Sequence, residues 1–233
     1  PSIMRCLIIG AGEVGKSLFE VLKNHHETYI KDLESLSLSN VVVLNICIPY
    51  SDDFLWQVRE YQKQYTPTVT IIHSTVPVGT SRALESVHSP IHGKHPDLSN
   101  GIKTFVKYVG GADKEKTKLA NKFLREAHIK TRIVSSPEAS ELSKILCTTQ
   151  YGWQILINKE IKRICDILKV DFEEVYGWNK HYNKGYTKLG TPQFVRPTLA
   201  HYEGKIGGHC VVNNTRLLDS WLTDTLRERN ETY

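Results

Sequence analysis

Gly207, Gly208, His209 and Cys210 form a run in which two glycines precede a cysteine. Glycines there let the backbone press against a bound molecule, and a thiol presented on such a loop attacks an electrophilic carbon once it ionises. Far upstream, Gly10-Ala11-Gly12-Glu13-Val14-Gly15 has the spacing of a phosphate-cradling loop. Its first glycine permits a tight turn, its second lets a pyrophosphate approach the backbone, and its third lets a helix pack against a strand. The amino terminus of the following helix then faces the phosphates. A thiol and a dinucleotide loop in one chain point to redox chemistry on carbon.

Asp32 follows the loop by about twenty residues, the spacing at which an acid meets a ribose 2'-hydroxyl. An acid there repels a 2'-phosphate and no arginine stands beside it, so NAD is expected rather than NADP. Ser74-Thr75-Val76-Pro77-Val78-Gly79-Thr80 follows an apolar run at residues 69–72 and places two hydroxyls where ligands collect in parallel sheets. Pro77 and Gly79 also account for a simple turn. The expected cofactor-binding set is Gly10, Gly12, Glu13, Val14, Gly15, Asp32, Pro49, Ser74 and Thr75.

The elements that must position these residues follow from periodicity. Cys6-Leu7-Ile8-Ile9 reads as a strand ending at the glycine loop, and Val14, Leu18, Val21 and Leu22 recur at helical spacing after it. Strands are expected at Tyr29–Asp32, at Val41–Ile48 up to Pro49, and at Val69–Ile72, with a helix at Phe54–Tyr65. Val106–Val109 and Ile129–Val134 bracket a helix from about Asp113 to Ala127. Strands alternating with helices imply an α/β fold, a doubly wound parallel sheet of the Rossmann kind over residues 1–134. Only eight residues separate Asp32 from Val41, so its first half is abbreviated.

Ser135-Ser136-Pro137-Glu138 has capping-box spacing with an early-helix proline and opens a smaller helical domain at 135–233. Leu142, Ile145, Leu146, Trp153, Leu156, Ile157, Ile164, Ile167 and Leu168 form one apolar stripe along a long central helix, which implies a partner and a homodimer. Asp171 caps a further helix, and Leu217–Arg229 reads as the last. Tyr176–Lys205 mixes aromatics with Lys180, Lys184, Lys188, Arg196 and Lys205 against the single acid Glu203, and is expected to be a loop-rich substrate wall.

The 233 residues, 40% apolar, suffice for one or two domains with a substantial core. No apolar run reaches membrane-spanning length, and residues 1–3, which precede Met4 and are set aside, lead into a strand rather than a signal peptide; a cytoplasmic location is expected. Five cysteines are an odd number in a chain too large to need staples, so reduced thiols are expected, with Cys6 and Cys47 as strand residues. A net charge of +5 suits an anionic small substrate. The basic aromatic stretch can also stack bases, but its charge is modest and it precedes Cys210, so nucleic acid is not the expected partner.

The order of the glycine loop, the Ser74–Thr80 run, Lys144 and Gly207-Gly208-His209-Cys210 resembles the UDP-glucose/GDP-mannose dehydrogenase family, nearest to its UDP-N-acetylmannosamine dehydrogenase type. The resemblance covers most of the chain. It implies oxidation of a sugar alcohol by NAD, capture of the aldehyde by Cys210 as a thiohemiacetal, and a second hydride transfer to a thioester that water hydrolyses. It also implies that Lys144 stabilises charge on the substrate oxygen, that Thr75 lies near the reacting centre, and that Arg196 binds substrate with Tyr202, Lys205, Gly207 and Gly208.

The chain departs from that pattern where water would be activated. The asparagine one turn after the lysine is Thr148, the aspartate four residues after the cysteine is Asn214, and Ser-Pro-Glu is Ser89-Pro90-Ile91. An amide is no general base. The sequence runs to Tyr233, short of the family's carboxy-terminal Rossmann-like domain. Cys210 therefore has three readings: nucleophile in a four-electron oxidation, substrate contact in a two-electron one, or bystander. A non-catalytic, NAD-responsive binding protein also fits.

His92-Gly93-Lys94-His95-Pro96 resembles the His-Pro segment of prephenate dehydrogenases and makes His95 an alternative general base for a two-electron hydroxy-acid dehydrogenase. His88, His92 and His95 lack a carboxylate or cysteine to complete a ligand set; they are expected to be solvated loop histidines, with no metal.

Overall fold

The structure, a computed structural model, describes residues 2–233. The chain forms two compact units, Pro1–Ile145 and Leu146–Tyr233. No described helix is long and apolar enough to cross a membrane.

The first unit runs β1 (Arg5–Ile9), α1 (Glu13–Leu22), β2 (Glu27–Lys31), β3 (Val43–Ile46), α2 (Phe54–Tyr65), β4 (Val69–Ile72), α3 (Thr80–Ala83), β5 (Val87–His88), α4 (Leu98–Thr104), β6 (Lys107–Val109), α5 (Lys114–Glu126) and β7 (Thr131–Ile133). β1 to β5 make one parallel sheet in the order β2-β1-β3-β4-β5, so the chain changes direction across the sheet between β1 and β3. Side chains alternate between its faces. Ile8, Val43, Ile71 and Val87 pack under Leu18 and Leu22 of α1, Leu98 and Ile102 of α4 and Phe123 of α5. Leu7, Ile9, Leu44, Ile46 and Ile72 pack against Phe54 and Val58 of α2. β6 and β7 pair with each other and join the main sheet through an antiparallel bridge between His88 and Gly110.

The abbreviation lies in the β2–β3 crossover, which has no helix. Leu36 and Leu38 pack on the sheet in its place, Tyr65 Oη donates to the Leu36 carbonyl at 2.6 Å, and Arg5 Nη1 donates to that of Ser39 at 2.8 Å. β2 begins and ends earlier than the apolar pattern indicated. The Glu34 carboxylate accepts the Asp32 N–H at 3.1 Å and draws Asp32 off the ladder.

A long helix, α6 (Pro137–Leu168), follows. Pro137 takes the first helical position, and the cap is Ser136, whose Oγ accepts from the Ala139 N–H at 3.1 Å. Ser135 does not close a box with Glu138, because that carboxylate takes the Arg82 guanidinium at 2.5 and 3.0 Å. The change of sequence pattern falls at Ser135, whereas the compact units divide between Ile145 and Leu146, because the first turns of α6 are tied to the β4–β5 connection.

The second unit contains the rest of α6, α7 (Phe172–Lys188), a tight turn at Pro192–Phe194, α8 (Val211–Thr215) and α9 (Trp221–Asn230). Leu156, Val211 and Leu226 form one core with Trp153, and Cys165, Phe172 and Tyr176 form a second. A Cβ on Gly152 of α6 would meet both Val211 and Leu226 at 2.7 Å, so this glycine sets how closely α8 and α9 approach. Asp171 and Ser220 cap α7 and α9 as acceptors from Glu173 and Leu222. Ser220 starts α9 later than Leu217 because its own backbone is extended.

The stretch expected to be loop from Tyr176 is helical as far as Lys188. Its asparagines hold the returning chain: Asn183 exchanges two bonds with the Arg196 backbone, at 2.6 and 2.7 Å, and Asn179 donates to the Pro197 carbonyl. The stripe on α6 also divides. Leu156 and Cys165 are buried, whereas Ile157, Ile164, Ile167 and Leu168 are 52–70% exposed.

Candidate functional site

In the first unit the expected cofactor residues share one sheet edge. Gly10 follows β1 with φ +108°, and a Cβ there would stand 2.8 Å from the Cys47 carbonyl oxygen, so both conformation and space require glycine. Gly15 packs against the Gly10 carbonyl more tightly still, with a Cβ there only 1.7 Å from its oxygen. Gly12 differs, since a Cβ there would meet nothing within 4 Å. That opening lies at the start of α1, whose cap carries no side-chain acceptor, so its first N–H groups are available to a phosphate. Glu13 lies in the first turn and Val14 packs on the core.

Asp32 is exposed just past β2, with Glu34 folded back onto its N–H, so two acids stand where one was expected. Lys31 is buried, donates to the Asp32 carbonyl at 2.8 Å and lies 5.0 Å from the Tyr61 ring centre. Pro49 is exposed after β3. Ser74 and Thr75 are half-buried after β4, and Ser74 Oγ donates to the Ile48 carbonyl at 2.5 Å, which ties the ends of β3 and β4 together.

Behind this edge lies a basic cluster that sequence reading missed. His88, expected to be a solvated loop histidine, ends β5 fully buried, because an apolar neighbour run is not needed to bury a residue whose ring and backbone are all bonded. Burial pushes its imidazole down to about 3, with the charges of Lys107 and Lys144 acting in the same direction. Burial likewise brings half-buried His92 to about 4, helped by Lys144 and Lys107. Lys107, at the start of β6, is 3% exposed; its ammonium group donates to the carbonyls of Ser89 and Pro90, and burial pulls it well below the usual lysine range. Asn45 Nδ2, His73 Nδ1 and Ser89 Oγ are buried without hydrogen-bond partners. The available signal for Lys107 was a lysine inside a strand pattern.

Lys144 sits on α6 one turn after Ser140. Glu141 beside it is buried, which raises its carboxyl against the opposing bonds it accepts from the Gly79 and Ser81 N–H groups and from Ser81 Oγ, at 2.9–3.0 Å. His95 stands at the glycine loop, with Nδ1 2.5 Å from the Glu13 carboxylate.

In the second unit Cys210 is exposed at the start of α8, after Gly208 at φ +79°. Asn214, one turn on, donates through Nδ2 to Thr148 Oγ1 on α6 at 3.2 Å, so two of the three departures from the family pattern meet each other. A cavity of about 350 Å³ is lined by Asn158, Lys159, Tyr202, Lys205 and Gly207, with Tyr151 and Val211. Arg196 does not line it; its guanidinium lies 4.0 Å from the Tyr182 ring centre. Lys205 pairs with Glu231 at 2.5 Å. Lys159, also missed from the sequence, is buried and donates to the carbonyls of Tyr202 and Gly204, both at 2.6 Å, holding the loop that leads to Cys210.

Among solved structures, a UDP-D-ManNAc dehydrogenase from Pyrococcus horikoshii matches 98% of this chain over 68% of its own, with a TM-score of 0.78 at 17% identity. The chain has the fold of the nucleotide-sugar dehydrogenases. A UDP-glucose dehydrogenase from Pyrobaculum islandicum matches 99% of it over 68% of its own length, with a TM-score of 0.75 at 13% identity. A 3-hydroxyisobutyrate dehydrogenase from Mycobacterium tuberculosis matches 97% of it and 92% of its own, with a TM-score of 0.70 at 13% identity. No protein-family model and no curated protein matches the sequence.

Proposed function

We propose that this chain is an NAD-dependent dehydrogenase that oxidises a hydroxyl of an anionic sugar, a nucleotide sugar or a close relative. One observation carries the reading: the open Gly12 position at the start of α1 and the acid pair Asp32–Glu34 past β2 lie at neighbouring strand ends of a parallel sheet. Gly10 to Gly15 with the α1 N–H groups would hold a pyrophosphate, Asp32 a ribose, and Pro49, Ser74 and Thr75 would line the way to the nicotinamide. When bound, NAD accepts the hydride leaving the carbinol carbon. The hydroxyl proton leaves to solvent as the hydride departs, and Lys144 would stabilise the negative charge that builds on the substrate oxygen before the carbonyl forms. Cys210 is the residue for the reacting carbon: its thiolate adds to the aldehyde carbon, and the oxygen takes a proton to give a thiohemiacetal. Tyr202, Lys205, Gly207 and Gly208, with Arg196, would contact the substrate.

The near-full coverage of a hydroxyisobutyrate dehydrogenase favours, as a second reading, a two-electron hydroxy-acid dehydrogenase. His95 would be its base, although its contact with the Glu13 carboxylate places it beside the cofactor loop. The exposed Ile157, Ile164, Ile167 and Leu168 support a homodimer through α6, which light scattering tests.

The test is NADH formation on mixing the chain with NAD and a panel of UDP- and GDP-sugars, with hydrides counted per substrate consumed. Turnover supports the first reading, and turnover of 3-hydroxy acids alone supports the second. NAD binding without any turnover leaves an NAD-responsive binding protein.

A further inference from the structure

Both ring nitrogens of His88 are committed, and each leads to a group of the proposed site. Nε2 lies 3.0 Å from the Ser74 carbonyl oxygen and Nδ1 lies 2.8 Å from Ser140 Oγ. A carbonyl only accepts, so Nε2 carries the proton and donates; Nδ1 is then bare and accepts from the Ser140 hydroxyl. Ser140 is fully buried and precedes Lys144 by four residues, which puts the two on one face of α6 a single turn apart. Ser74 is held in turn by its bond to the Ile48 carbonyl. An unbroken chain of hydrogen bonds therefore runs from the end of β3, through the Ser74–Thr75 turn and the end of β5, to the turn of α6 that carries Lys144.

We propose that His88 is a positioning residue that fixes Lys144 relative to Ser74 and Thr75, an inference that rests on the reading of those residues as site groups.

The ring is an effective spacer because its backbone cannot yield. The His88 N–H and C=O exchange bonds with Gly110 at 2.8 and 2.9 Å, and its Cα pairs in register with Ile72. Filling this space needs no imidazole: an aliphatic side chain would pack β5 against α6 without the desolvation cost of a buried polar ring. Nor is the ring needed to attach the helix. Glu141 binds the far end of the same connection at Gly79 and Ser81, and Glu138 binds Arg82. What His88 adds is the register of the near end, where Ser74 and Thr75 lie. Burial first, and the charges of Lys107 and Lys144 after it, keep the ring neutral, which preserves the donor at one nitrogen and the acceptor at the other.

The experiment compares the whole chain with its Ser140→Ala and His88→Gln variants. Each lysine's rate of acylation by an N-hydroxysuccinimide acetate is followed residue by residue by mass spectrometry. Glutamine keeps a donor for Ser74 but loses the acceptor for Ser140, and the alanine variant removes the same bond from the other side. The Lys144 rate is expected to rise about threefold or more in both, the factor that loss of one hydrogen bond of ordinary net strength produces. Exposed Lys63 and buried Lys159 of the second unit should keep their rates. An unchanged Lys144 rate in the folded variants would overturn the proposal, and so would an equal rise at Lys159, which signals general loosening. Should the glutamine variant fail to fold, Ser140→Ala decides alone. NADH binding, measured separately by fluorescence, tests the dehydrogenase reading: its absence from the unmodified chain would sink that reading without altering the lysine result.

Discussion

Acid should destabilise the first unit through His88 in particular. The imidazole is held neutral in the fold, its value lowered from the ordinary 6.5 to about 3 by burial first and by the Lys107 and Lys144 charges next. The unfolded chain takes up a proton below 6.5 and the folded chain does not. The contribution of His88 is therefore fully present above 6.5 and is lost progressively as pH falls towards 3. Between pH 7.5 and pH 5 the loss is about 2 kcal/mol for this one group. His88→Gln lacks the titration and loses instead the bond to Ser140, about 1 kcal/mol at any pH in this range. In urea titrations followed by far-ultraviolet circular dichroism, the variant should be less stable than the unmodified chain at pH 7.5. The gap should close or reverse by pH 5. Other groups whose values the fold shifts, the buried Glu141 among them, are common to both proteins and cancel in the difference. A gap of equal size at both pH values would refute the reasoning, because it would mean that the ring gains no protons on unfolding.

Gly12→Ala should fold normally, since the added carbon meets nothing, yet lower NADH affinity about tenfold or more by occupying the pyrophosphate approach; fluorescence titration showing normal affinity would remove the loop from the cofactor site. Replacing Asp32 and Glu34 together by alanine should move preference towards NADPH roughly tenfold or more, at about 1 kcal/mol per unit-charge pair in contact in water. An unchanged NADH-to-NADPH affinity ratio would count against the ribose assignment. Cys210→Ser should spare NADH binding and block any second hydride transfer, and an unaltered hydride count from a two-hydride parent would take the cysteine out of the mechanism.

Four of the five strands were legible as short runs, β1 stopped by Gly10 and β3 closed off by Pro49, and α2 and β4 match their expected bounds, whereas β5, two residues long, was read as loop. The long helix was legible from Pro137 and its stripe. Side-chain bonds that cross long stretches of sequence were not. Glu34 capping Asp32 ends β2 at Lys31, and Asn179 and Asn183 turn a polar aromatic stretch into helix by stitching it to residues 196–197. The same limit applied at the site. The glycine loop, Asp32 and the Ser74 turn announce themselves by spacing, but His88, Lys107 and Lys159 matter through the carbonyls they reach. A carbonyl partner leaves no mark on the sequence.

The three departures from the family pattern bear on how far the reaction goes. Ile91 is buried in the core of the first unit, so no carboxylate takes its place there. Asn214 and Thr148 bond to each other, and neither an amide nor a hydroxyl of this kind accepts a proton to activate water. Glu141 is a nearby acid in sequence, but both of its oxygens are occupied by Gly79 and Ser81. In the proposed reading, the side chains can oxidise the alcohol and capture the aldehyde, but the positions that would hydrolyse a thioester are filled by groups that cannot serve as bases. The reaction then stalls at the thioester: at most two NADH form per Cys210, without steady turnover to the acid. Steady release of two NADH per substrate would require a base at another position, and His209, exposed beside Cys210, is the side chain whose replacement by glutamine should then end that steady release.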